Sequence, residues 1–157
     1  MTIHRLFSKD PNDEEENVTQ NIYVFRFILF CIIVYSFEML LNSVDIFIVD
    51  KTIFTRGYVT GCLFAAVYVL ILLHLGLEHP LTKYVSITAV SLIIMAASVS
   101  LTYHMIIIIM MPIIIAGMYT SKQLSIYTFV LTVLSIIIST YAGYYYGVCD
   151  ANICLLY

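Results

Sequence analysis

The chain has 157 residues, 62% of them hydrophobic and 11% charged, with a net charge of -3 and a mean hydropathy of +0.99. Soluble domains carry roughly a quarter charged residues, so this composition excludes a water-soluble fold and makes lipid the solvent for much of the surface. The acids gather in "DPNDEEE" at Asp10 to Glu16, and the absence of a basic patch argues against nucleic acid as a partner.

Residues 1–21 read as an acidic, cytoplasmic N-terminal segment. Asp10 suits a helix N-cap, Pro11 the first helical position, and Asp13 to Glu16 complement the helix dipole. The competing reading is a solvated arm. The acidic lead does not fit a signal peptide, which starts positive and ends in small residues. "NVT" at Asn17 matches a glycosylation acceptor but has no meaning on the cytoplasmic side.

Residues 22–147 are expected to form an all-α, polytopic membrane bundle of about five transmembrane helices. Long apolar runs without alternation favour helices over a barrel. The first run is Ile22 to about Leu41. Arg26 lies one turn inside it and can snorkel to the surface. Glu38 lies in its outer half, in "YSFEMLLN". The second run, Gly57 to Leu77, opens with Gly57-Tyr-Val-Thr-Gly61. His74 and Glu78, four apart, share a helix face there. With no third ligand evident nearby, an interfacial helix end closed by "EHP" is preferred to a metal site.

The third run is Tyr84 to Tyr103 and the fourth Met105 to Tyr119, separated by "TYH". Joined, they would span 36 residues, too long for one crossing, so a turn is expected at Thr102 to His104. The fourth run is short and contains Pro112, which is expected to kink it. It is either a tilted span or a re-entrant half-helix. The fifth run, Leu124 to Tyr146, closes with Gly143-Tyr-Tyr-Tyr-Gly147. Residues 148–157 read as an outer loop and the start of a truncated sixth apolar segment.

With the N-terminus inside, Arg5, Lys9, Arg26, Lys83 and Lys122 lie on the inner side against Lys51 and Arg56 outside. This asymmetry predicts a multi-pass plasma-membrane protein with a cytoplasmic N-terminus. The 13 tyrosines and absent tryptophan predict interfacial belts, with Tyr58, Tyr103, Tyr141 and Tyr144 to Tyr146 outside and Tyr23, Tyr84 and Tyr119 inside. Of four cysteines, Cys31 and Cys62 read as small core residues, while Cys149 and Cys154 would face an oxidising side.

Ionisable groups inside spans are costly and are functional candidates by default. Glu38, Tyr103 and His104 are therefore the candidate ligand-binding residues. A Glu38–His104 pair would take a proton, a cation or a small polar ligand, and the rival reading has each reaching interfacial water. Gly57, Gly61, Gly143 and Gly147 are candidate helix-packing residues, either in a homodimer or within one bundle. The expected partners are the lipid bilayer and an unidentified ligand or ion, with no metal and no cofactor. No phosphate loop, GxSxG, HExxH or paired carboxylates occur, so no enzyme is expected.

The stretch "YHMIIIIMMPIIIAGMYTSKQLSIYTFVLTVLSIIISTYAGYYYGVCDANICLL", residues 103–156, resembles the multi-span N-terminal sensor region of bacterial GGDEF diguanylate cyclases and sensor histidine kinases. The likeness rests on a proline in a short apolar run, a Tyr/Ser/Lys loop, "YT" entering the next span and a glycine-tyrosine exit before "DAN". It implies a sensory or anchoring module lacking its sixth span and output domain, so no catalytic residue carries over. The rival is a small transport component, such as the substrate-binding subunit of an uptake transporter.

Overall fold

A backbone in lipid must satisfy its own hydrogen bonds, and a helix does so within one segment. The computed structural model describes residues 16–46, 50–101, 106–119 and 121–145. Its elements are α1 (Glu16–Ser43), α2 (Lys51–Leu75), α3 (Thr82–Leu101), α4 (Ile106–Ile109), α5 (Met111–Gly117) and α6 (Lys122–Tyr145). Among the described residues, four stretches, Val18–Ser43, Lys51–Leu75, Thr82–Ser100 and Lys122–Tyr145, are long and apolar enough to cross a membrane. The chain is an all-α helical bundle and a membrane protein with transmembrane helices.

The boundaries follow local chemistry. The α2 helix starts six residues before Gly57 because Asp50 caps it, its Oδ1 accepting from Thr52 N and Ile53 N at 2.9 Å each. It stops at Leu75, where Gly76 takes φ 84° and donates its N–H to Leu72 O. Glu78 therefore lies beyond the helix, and the helical face expected to join it to His74 does not exist.

The α3 helix is the centre and packs on every other described helix. Within its apolar window 56% of the residues are buried, against 17–28% for the other three spans. Its sequence explains this place. Ser86, Ala89, Ser91, Ala96, Ala97, Ser98 and Ser100 are small, so neighbouring backbones approach it closely from several sides.

The peripheral helices are apolar outward. On α6 the buried positions are Leu124, Thr128, Thr132, Ser135, Ser139 and Gly143, spaced by three or four. Ile126, Phe129, Val130, Leu134, Ile137 and Ile138 are exposed. Small and hydroxyl residues inside with large apolar ones outside is the arrangement lipid favours. On α1, Asn21, Ile28, Tyr35 and Asn42 are buried seven residues apart, and on α2 so are Phe54, Gly61 and Tyr68. Seven residues is the interval of coiled-coil packing.

The fourth apolar run is broken at Met110 into α4 and α5. Pro112 occupies the first turn of α5, where its missing N–H costs nothing. In one continuous helix the ring would collide with the Ile108 carbonyl, so the break precedes the proline. Ile108 lies beside Ile93, Ile94 and Ala97, and Tyr119 reaches Asn21. The run thus descends α3 toward the start of α1. The expected helix start at Asp10, the turn at Thr102 to His104 and the sixth apolar segment lie outside the described residues.

Candidate functional site

Hydrogen bonds between side chains of different helices gather at the two ends of the bundle. At the Leu77 end, Asn21 of α1 is buried and donates from Nδ2 to Leu77 O at 2.9 Å. The Tyr119 hydroxyl donates to Asn21 Oδ1 at 2.8 Å. Tyr68 of α2 and Ser86 of α3 share a hydrogen bond of 3.1 Å, and Tyr119 lies close to both. Thr82 Oγ1 donates to Gly76 O at 2.7 Å. One buried node thus ties together α1, α2, α3, the α2–α3 loop and Tyr119, two residues beyond α5. Tyr119, expected in an interfacial belt, is 3% exposed. Its hydroxyl finds a partner inside, which keeps the ring there. Nearby, Tyr84 and Tyr127 meet edge to face at 5.4 Å, and the Tyr127 hydroxyl bonds Thr88 at 2.7 Å.

At the other end, Tyr35 of α1 inserts between α2 and α3. Ser100 donates to Ala97 O, so Tyr35 donates to Ser100 Oγ at 2.8 Å. Ser36 donates to Ile32 O, so Tyr58 donates to Ser36 Oγ at 2.9 Å. The Tyr35 ring stands edge-on to Phe54 and Tyr58 at 5.3 and 5.4 Å. Gly57 makes this seat: a Cβ there would lie 2.8 Å from Tyr35 OH and 2.7 Å from Ser100 Oγ. Gly61 faces the edge of the same ring at 3.5 Å. The α2 glycine pair therefore packs within the chain. Gly143 is buried on α6, and among the described residues no neighbouring atom lies within 4 Å of where a Cβ would stand. Gly147 lies outside the described residues.

Glu38 is one turn beyond Tyr35 and half-buried. It lines a groove of about 270 Å³ between α1, α3 and the α4–α5 pair, with Phe27, Phe30, Val34, Ala97 and Met111 among the walls. Its expected companions Tyr103 and His104 lie outside the described residues, so the structure does not describe that constellation. A second groove of about 260 Å³ runs between α2, α3 and α6, with Arg56 and Thr60 at one end and Phe64 and Ile138 along it. Outside the grooves, Lys51 and Asp45 form an exposed ion pair of 2.8 Å. Among the described residues no three His, Cys, Asp or Glu side chains gather in a metal-binding group.

Asn21, Tyr68 and Ser86 were not singled out by the sequence, and Tyr119 was read only as a residue of the interfacial belt. The signal for Asn21 was its place in the seven-residue series that also holds Tyr35. No protein-family model, curated protein or solved structure matches this chain.

Proposed function

We propose that the chain is the membrane-embedded input module of a bacterial signalling protein. It would be multi-pass in the plasma membrane, with the start of α1 facing the cytoplasm. The observation that carries this reading is the Glu38 groove. Its walls belong to different elements, α1 on one side and the broken α4–α5 pair on the other. A ligand that binds one spacing of these walls better than another shifts the population toward it. The α5 helix packs on α6, so the shift reaches the last described helix.

The resemblance of residues 103–156 to the sensor regions of diguanylate cyclases and histidine kinases points the same way. Lys83 and Lys122 lie in the first turns of α3 and α6 at one end of the bundle, and Lys51 and Arg56 in the first two turns of α2 at the other. The orientation itself comes from the sequence count that includes Arg5 and Lys9.

Reading the messenger RNA beyond the Tyr157 codon tests this function. The expected result is an open frame encoding a further apolar span and then a GGDEF or kinase domain. A stop codon with no such domain overturns the input reading and leaves the small transport component as its successor.

A further inference from the structure

An intramembrane carboxylate is expensive, and Glu38 sits where its cost would be recovered by a particular partner. The groove beside it runs along α1 from Phe27 to Glu38. Those residues are eleven positions apart, about 16 Å of helix. Besides Glu38, Cys31 and Tyr35, its walls are apolar, with Phe27, Phe30 and Val34 on α1, Ile94 on α3 and Met111 on α5. Phe30 and Val34 are exposed, so the groove is open along its length to lipid. Among the described residues no hydrogen bond or ion pair occupies the Glu38 carboxylate. An apolar trough with one anionic group among its described lining residues, at its end, is complementary to an unbranched chain with one cationic head. A neutral or anionic amphiphile would leave the carboxylate unmatched or oppose it.

We propose that the groove binds a single-chain lipophilic ammonium ion, its head on the Glu38 carboxylate and its chain lying along Phe30 and Phe27. This names the ligand class of the input module, and its signalling meaning rests on that reading, while binding is a property of the chain alone.

The full chain in phosphatidylcholine nanodiscs tests it, with radiolabelled dodecylammonium as the probe. Saturable binding is expected that Glu38→Gln weakens by about tenfold or more, the loss of one charged hydrogen-bond partner. Glu38→Asp should restore most of it, and Asp45→Asn should leave it unchanged. Dodecanol should compete poorly. A diazirine-bearing dodecylammonium should cross-link to α1 and α4–α5. Equal binding by Glu38→Gln, equal competition by dodecanol, or cross-links confined to the Arg56 groove would each overturn the proposal. A closed downstream frame with Glu38-dependent binding removes the input reading and leaves the site standing. An open frame with Glu38-independent binding does the reverse.

Discussion

At the scale of single residues, Gly57 and Gly143 separate a required glycine from a permitted one. Each opens a Gly-x-x-x-Gly pattern, and the sequence treats them alike. The structure does not: an added methyl at Gly57 collides with Tyr35 and Ser100 at under 3 Å, and at Gly143 it meets nothing within 4 Å among the described residues. Gly57→Ala should therefore destabilise the bundle by about 1–3 kcal/mol through overpacking. Gly143→Ala should be neutral or stabilising by about 0.5 kcal/mol, because alanine is the better helix former. Unfolding in mixed micelles checks both, and equal effects would contradict the assigned packing. Asn21 supports a second prediction. Asn21→Leu leaves the Tyr119 hydroxyl and the Leu77 carbonyl without their asparagine partner in a buried place, which should cost about 2 kcal/mol in the same assay. An unchanged midpoint would show that water replaces the amide.

At the scale of elements, α6 shows how lipid reverses the usual pattern. Its buried stripe from Thr128 to Gly143 is small and hydroxylated, and its exposed face is isoleucine, valine and phenylalanine. Ser135→Leu puts a large side chain where α6 meets its neighbours and should destabilise by about 1–3 kcal/mol. Ile137→Leu, on the exposed face, should change stability by less than about 0.5 kcal/mol. The opposite ranking would mean that α6 presents its other face to the bundle. The break at Met110 belongs to this scale too. Pro112 announced an interruption, yet its position came from the backbone: a proline is harmless in the first turn of α5 and obstructive within a longer helix.

At the scale of the whole molecule, one small-residue helix surrounded by larger ones defines the architecture. The α1–α2 connection lies at one end of α3 and the α2–α3 and α5–α6 connections at the other. With the N-terminus cytoplasmic, a single cysteine placed at Val44 in a chain lacking its native cysteines should react with a membrane-impermeant maleimide on intact cells. One placed at Glu78 should react only after lysis. The reverse pattern would invert the orientation read from lysine and arginine.

The sequence by itself determined that this is a helical membrane bundle, roughly where its long helices run, and that its fourth apolar run is short. Composition and run length carry that information because lipid penalises every unpaired backbone group and every exposed charge, residue by residue. Which small residues are filled by a neighbour, which tyrosine is buried and what Glu38 faces were decided only by the tertiary structure. In an all-apolar helix the inner and outer faces have nearly the same hydropathy. The face that packs is then chosen by shape and by hydroxyl and amide partners on other helices. Tyr35 fits the notch at Gly57, and Tyr119 reaches Asn21 ninety-eight positions away, relations that exist only once the helices are side by side.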